Sequence, residues 1–166
     1  MEQGALPGDI TIQPATFGDL QAILKLQYLA YRSEAELLGD YSIPPLCETL
    51  EEVEQQHRDG MILKAVDGRG AIVGSVRGTA KDGTLYIGKL MVHPELRGRG
   101  LGGRLLLEIE RRCPQQRFEL FTSDRSARNL ALYERKGYRR FRERQISPGL
   151  RFVYLEKPGY PGSAGR

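Results

Sequence analysis

The first third of the chain carries apolar residues at helical spacing, and the middle third alternates them with polar ones as strands do. Ile10-Thr11-Ile12, closed by Pro14, predicts a short strand. From Thr16 to Ala30 the spacing predicts a helix begun by Asp19, with Leu20, Ile23, Leu24, Gln27, Tyr28 and Tyr31 marking one face. Ser33 to Leu38 predicts a second short helical piece, and Gly39 to Cys47, with Pro44-Pro45 inside it, a loop. Thr49 to Arg58 predicts an acidic helix, because Thr49 and Glu52 match a capping box.

The period then changes to two. Met61 to Val66, Ala71 to Thr79 and Thr84 to Val92 predict an antiparallel meander, turned at Asp67-Gly68-Arg69-Gly70 and Lys81-Asp82-Gly83. Gly100 to Cys113 predicts a helix stopped by Pro114, with Arg111 and Arg112 at its negative end. Arg117 to Phe121 is a strand, Ser126 to Lys136 a helix ended by Gly137, and Tyr138 to Ile146 with Leu150 to Glu156 a hairpin. This order predicts an α/β fold: one mixed sheet with helices on both faces. The Gly/Pro composition of residues 1–9 and 158–166 predicts disordered ends around a single domain at 10–157.

A length of 166 residues, 40% hydrophobic and 28% charged, fits one soluble globular domain. No run of 18 or more apolar residues predicts a membrane span, and Met1 to Asp9 lacks the pattern of a secretory signal. Cys47 and Cys113 stand apart from any CxxC or Cys/His cluster, so reduced core thiols in a cytoplasm are expected, without a metal. The net charge of +4 is divided unevenly: residues 1–96 hold eight Lys/Arg against fourteen Asp/Glu, residues 97–166 seventeen against seven. The basic half is not interleaved with aromatics in one run, which argues against a nucleic-acid surface.

Between a strand and a helix lies Arg97-Gly98-Arg99-Gly100-Leu101-Gly102-Gly103. Glycines let backbone approach a ligand closely, and the unpaired N–H groups of a helix start favour an anion such as a pyrophosphate. Arg97, Arg99 and Arg104 add positive charge. The stretch lacks GK[ST], which excludes a P-loop. Gly98, Gly100 and Gly103 match GxGxxG, but His93 to Arg97 intervene after the strand and an antiparallel meander precedes it, unlike a dinucleotide-binding unit.

The stretch Leu90-Met91-Val92-His93-Pro94-Glu95-Leu96-Arg97-Gly98-Arg99-Gly100-Leu101-Gly102 resembles the core motif of the GCN5-related N-acetyltransferase (GNAT) superfamily, with strand, Pro94, Arg97, Gly100 and Gly102 in register. Asn129-Leu130-Ala131-Leu132-Tyr133-Glu134-Arg135-Lys136-Gly137-Tyr138 resembles its second motif, and the element order matches from Ile10 to Glu156. The resemblance implies the GNAT fold, a mixed, mostly antiparallel sheet of six to seven strands splayed at a cofactor cleft. It implies acetyl-CoA as co-substrate and an N-acetyltransferase working by direct transfer in a ternary complex. Backbone from Arg97 through Gly98, Arg99, Gly100, Leu101 and Gly102 to Gly103 would hold the CoA pyrophosphate, and Leu90, Met91 and Val92 would pair with its pantetheine arm. A backbone N–H near Met91 or Val92 would polarise the thioester carbonyl. Asn129 would contact the pantetheine and Tyr133 would protonate the departing thiolate. A non-catalytic acyl-CoA sensor of the same fold is the rival reading, and retention of Tyr133 favours catalysis.

The acceptor end has no motif. Residues 34–59 hold eight acidic residues and only Arg58 as a base, an acidic rim suited to a cationic small-molecule or peptide amine. Glu34 is the leading candidate to bind or deprotonate that amine, ahead of Glu36, Asp40, Tyr41 and His93. A homodimer through the last strands is the partner that the resemblance implies.

Overall fold

The computed structural model describes residues 9–160. Its strands are β1 (Thr11–Pro14), β2 (Met61–Val66), β3 (Ile72–Lys81), β4 (Thr84–Val92), β5 (Arg117–Ser123), β6 (Arg139–Ser147) and β7 (Leu150–Pro158). Its helices are α1 (Leu20–Leu38), α2 (Pro44–Cys47), α3 (Leu50–Asp59), α4 (Leu101–Arg112) and α5 (Ala127–Arg135). One seven-stranded sheet has the order β1-β2-β3-β4-β5-β7-β6, antiparallel except at the β4–β5 pair. The predicted mixed sheet, its strand number and the helices on both faces are as the sequence implied.

The apolar stripes decide which face each helix covers. Leu101, Leu105, Leu106 and Ile109 of α4 pack on Val76, Leu85, Phe118 and Leu155. Leu20, Ile23 and Leu24 of α1 meet Val53 of α3 and Ile62 of β2 on the opposite face. Each such side chain, fully buried, contributes about 1.5–3 kcal/mol relative to exposure. A buried carboxylate fixes the second half of the molecule to α4. Glu110 accepts from Tyr138 Oη at 2.6 Å and from Lys157 Nζ at 2.9 Å, so the end of α5 and strand β7 are both tied to α4.

Three details depart from the sequence reading. Helix α1 is a single element from Leu20 to Leu38, where the sequence predicted two pieces parted near Tyr31-Arg32. Arg32 and Ser33 are exposed, so these polar residues interrupt the apolar stripe without interrupting the helix. The predicted loop at Gly39 to Cys47 contains the short helix α2, which opens on Pro44-Pro45. Proline suits a first helical turn, where its missing N–H is not needed. Finally, the tail expected to be disordered from 158 is anchored as far as Tyr160. Gly159 and Tyr160 donate backbone hydrogen bonds to the carbonyls of Gln116 and Gln115 at 2.8 and 2.7 Å. The expectations for residues 1–8 and 161–166 lie outside the described residues.

Candidate active site

The meander sets up the site by failing to continue its pairing. β4 pairs with parallel β5 only over Thr84–Tyr86 against Arg117–Glu119. From Ile87 onward β4 keeps β3 on one side and has no β5 partner on the other. The divergence coincides with a bulge. Met91 opposes Ser75, Gly88 opposes Arg77, and Lys89 between them has φ 50°. A bulge adds twist and bend to one strand, which turns the end of β4 away from β5. The edge of Leu90-Met91-Val92 is thereby left open beside a cleft of about 570 Å³.

Four segments wall this cleft: Ala30, Tyr31 and Glu34 of α1, the end of β4, the glycine turn into α4, and the start of α5. In the turn, Gly98 and Gly100 have φ of 77° and 87°. Side chains rarely tolerate those values, and a Cβ at either position would meet no protein atom within 4 Å. The backbone there is bare toward the cleft. Arg104 N–H donates to Gly100 O at 3.1 Å, and the N–H groups of the preceding turn have no helical acceptor. The starts of α4 and α5 both border the cleft, so two positive dipole ends meet there.

The arginines are arranged differently from the sequence reading. Arg97 lines the cleft and its Nη2 donates to Ala30 O at 2.6 Å, tying the turn to α1. Arg99 does not line the cleft, and Arg104 turns outward to Ile10 O at 3.3 Å. The positive charge comes instead from Arg125, Arg128 and Arg135, around α5. Sequence reasoning missed them because proximity to the glycine turn in sequence was taken as proximity in space. The available signal was Arg128 and Arg135, seven residues apart on α5 and so on one face.

Of the expected cofactor contacts, Leu90, Met91, Val92, Arg97, Gly98, Gly100, Leu101, Gly102, Gly103 and Asn129 line the cleft, and Arg99 and Tyr133 do not. Asn129 Nδ2 donates to Thr122 Oγ1 at 3.3 Å, which sets its orientation from β5. Tyr133 is buried behind Asn129, its ring stacked on Tyr138 with centroids 6.2 Å apart. Burial, then the neighbouring Tyr31 and Glu34, push its hydroxyl above the ordinary tyrosine range. The Tyr31 hydroxyl is raised for similar reasons: burial first, then Glu34. Tyr31, which the periodicity reads as packing, is thus near enough to Glu34 and Tyr133 for their charges to bear on one another.

Among the acceptor-side candidates, only Glu34 borders the cleft. Burial raises its carboxyl above the usual glutamate value, and the positive charge of Arg97 offsets only part of that rise. Glu36, Asp40 and Tyr41 are exposed, and Asp40 is occupied by the backbone of Ser42 at 2.8 Å. His93 is half-buried, and its Nδ1 accepts from Glu95 N–H at 3.2 Å, capping a short 3-10 turn. The expectation of two core thiols fails at Cys47, which is exposed; both cysteines are free. Among the described residues there is no group of three or more His, Cys, Asp or Glu suited to a metal, and no helix long and apolar enough to cross a membrane.

This arrangement, a strand edge opened beside a glycine-rich helix start, defines a class of protein, and the comparisons with known proteins agree. The model of the Acetyltransferase (GNAT) family matches residues 20–138, and the chain belongs to that family. Its fold is similar to that of the ribosomal-protein-S18-alanine N-acetyltransferase from Escherichia coli, with TM-score 0.74 and 17% identity over 95% of this chain and 98% of that one. It is likewise similar to the PaiA N-acetyltransferase from Thermoplasma acidophilum in complex with coenzyme A, with TM-score 0.73 and 15% identity over 90% and 99%. A phosphinothricin acetyltransferase from Sinorhizobium meliloti, in complex with acetyl-CoA, gives TM-score 0.73 and 20% identity over 95% and 92%. By sequence the chain is similar to the UPF0157 protein YqkA of Bacillus subtilis, 26% identical over 129 residues; these make up 77% of this chain and 37% of that protein.

Proposed function

We propose that this chain is an N-acetyltransferase that binds acetyl-CoA in the cleft and transfers its acetyl group to a primary amine of a small molecule or peptide. The observation that carries the reading is the convergence, in one cleft, of an unpaired strand edge at Leu90–Val92 with the bare backbone at Gly98 and Gly100. The first supplies a row of backbone groups to an extended amide-containing arm. The second supplies N–H groups and dipole charge to a pyrophosphate, with Arg97, Arg128 and Arg135 as counter-charges. Acetyl-CoA brings the activated thioester; the remaining chemistry falls to side chains.

Glu34 takes the proton of the incoming ammonium. A carboxyl raised above its usual value is a stronger base than an exposed glutamate, and it stands on the cleft wall where the amine enters. A backbone N–H near Met91 or Val92 donates to the thioester oxygen as charge develops there. Tyr133 holds its proton at neutral pH because burial disfavours the phenolate; it does not line the cleft but sits one helical turn after Asn129, which does, and on this reading it gives that proton to the leaving thiolate. Asn129 orients the arm beside it.

The test combines thiol release from acetyl-CoA over a panel of amines with calorimetry of CoA binding. Binding with turnover of at least one amine is the expected result. Tight binding with no turnover of any amine would make the chain an acyl-CoA sensor, and no CoA binding would defeat both readings.

A further inference from the structure

Helices α1 and α3 lie against β2, β3 and β4 on one face of the sheet, and α4 and α5 pack on the other. On the first of these faces the last three strands, β5, β7 and β6, carry no helix, and β6 is exposed along its whole length. Pairing fixes what points outward there. Phe121 of β5 opposes Tyr154 of β7, and Phe152 opposes Ser123, while the alternate residues Phe118, Leu120, Val153 and Leu155 face the core under α4. The outward rings form one cluster. Phe121 lies 4.7 Å from Phe152 and 5.4 Å from Tyr154, centroid to centroid, and Phe141 of β6 lies 6.4 Å from Tyr154. Phe121 is 48% exposed and Phe141 40%. A bulge between Arg140 and Arg142 brings two consecutive residues to this face, so Arg142 stands over the Tyr154 ring at 4.2 Å beside Phe141.

The charge of this face is positive. Its two carboxylates, Glu119 and Glu156, are both held by Arg117 at 2.8 Å, and the same guanidinium covers the Phe141 ring at 5.0 Å. Along β6, Arg139 opposes Glu156, Arg142 opposes Tyr154 and Arg144 opposes Phe152. None of these three arginines has an ion pair among the described residues. Glu143 lies between them in sequence but points the other way, opposite core Val153, and pairs with Arg151. Basic and aromatic residues therefore alternate across the strands, although no single run of the sequence does so. A second copy of the chain would bring the same surplus of positive charge, since residues 139–158 hold six Lys/Arg against two Glu. Like charges around a two-fold contact disfavour it. The matching chemistry is an anion that also carries flat rings.

We propose that the open face of β5, β7 and β6 binds a single strand of nucleic acid, with bases stacked on Phe121 and Phe141 and phosphates on Arg139, Arg142 and Arg144. Aromatic platforms beside basic side chains hold such strands without reading their sequence, because every base has a flat face. A duplex keeps its base faces stacked inside and offers mainly phosphates, so the rings select an unpaired strand. None of these residues lines the acetyl-CoA cleft, and the surface stands independently of the acyltransfer reading.

The experiment measures fluorescence anisotropy of a labelled mixed-sequence strand of about twelve nucleotides, within the usual site size. The strand is tested as RNA and as DNA, beside the matching duplex and inorganic polyphosphate. The expected result is binding of the single strands, with the duplex and polyphosphate weaker. Phe121→Leu and Phe141→Leu keep an apolar cover but lose the ring. Each should weaken the strand roughly five- to a hundredfold and leave polyphosphate unchanged. Arg142→Gln combined with Arg144→Gln should flatten the slope of log affinity against log salt by about 0.7 per arginine. Melting temperature and CoA affinity should stay near those of the wild type, which separates these effects from misfolding. If Phe121→Leu fails to fold, Phe141→Leu on the exposed edge strand carries the same test. No binding of either single strand, equal or tighter binding of the duplex or polyphosphate, or ring substitutions without effect would overturn the proposal. So would a dimer in sedimentation that Phe121→Leu dissociates, because a second copy would then cover the face.

Discussion

Replacing Glu48 with alanine removes the centre of the buried polar cluster beneath the β4 bulge. Glu48 receives hydrogen bonds from Arg77, Gln27 and Gln56, and all but Gln56 in this set are buried. Losing one partner of a buried ion pair costs about 3–5 kcal/mol, because the other charge stays behind without water. Here two cations stay behind, Arg77 and Lys89, which places Glu48→Ala at the upper end of that range. At about 2–4 °C per kcal/mol for a domain of this size, the melting temperature should fall by about 10–20 °C. The mirror substitution, Arg77→Met, should cost less. It leaves Glu48 with both glutamines and with Lys89 as a replacement cation, an attraction worth about 1 kcal/mol or more at a partly buried site. Adding Lys89→Met to Glu48→Ala should restore part of the loss by removing one of the stranded charges. Urea and thermal denaturation of the four proteins measure these differences. Equal costs for the two single substitutions, or a Glu48→Ala loss below about 1 kcal/mol, would refute the charge accounting. The wild type also has an acid dependence of known sign. Burial raises the Glu48 carboxyl, but Arg77 and the glutamines outweigh it and hold it below the usual value. Its stabilisation is therefore complete above the ordinary glutamate pKa and is lost as pH falls through the depressed folded value. Glu48→Ala should lack that part of the acid transition.

Other outcomes follow from the cleft. Tyr133→Phe should lower kcat by about 10²–10⁴-fold, the usual worth of a general acid, with CoA affinity by calorimetry unchanged; an unaltered kcat assigns Tyr133 to packing alone. Glu34→Gln should reduce kcat/KM and remove the acid limb of its pH profile, since activity falls as pH drops through the raised Glu34 pKa. Arg97→Ala should move that limb to higher pH, because Arg97 is the charge that restrains the rise; a shift to lower pH would contradict the arrangement. Gly100→Ala should cost about 1–2 kcal/mol of stability from its left-handed backbone, and should weaken CoA binding by more than that loss explains.

Periodicity was a good guide wherever one face of an element meets the core. It placed β4 at Thr84–Val92 to the residue, and it placed the capping box of α3, where Glu52 N–H donates to Thr49 Oγ1 at 3.2 Å. The glycine turn was legible because positive φ and a bare backbone demand glycine itself. What pattern could not supply was the pairing of distant polar residues. Gln27 has helical spacing with leucines and reads as part of an apolar face, yet it is fully buried because Arg77 and Glu48 satisfy it. The bulge at Lys89 is equally hidden, since alternation along β4 does not reveal the register of β3. On the far strands, arginines and aromatics interleave across neighbours and not along one run: Arg142 lies over Tyr154 at 4.2 Å and Arg117 over Phe141 at 5.0 Å. A linear scan for mixed basic and aromatic residues passes over such a surface.

The three paired residues between β4 and β5 have a consequence for how the molecule opens. β1 to β4 and β5 to β7 are each laddered along their lengths, but the two blocks share only Thr84–Tyr86 with Arg117–Glu119. Below that short seam they are joined by α4 and by the Glu110 contacts, that is, by side chains and not by a backbone ladder. Sub-global opening should therefore run along this line, with amides of Leu90 to Val92 exchanging with solvent long before those of β3. A bound pantetheine arm would act as an eighth strand of foreign covalent structure, closing the gap and merging two cooperative units into one. On the proposed acyltransfer reading the substrate would complete the sheet, and its binding would protect the amides of Leu90 to Val92 from exchange.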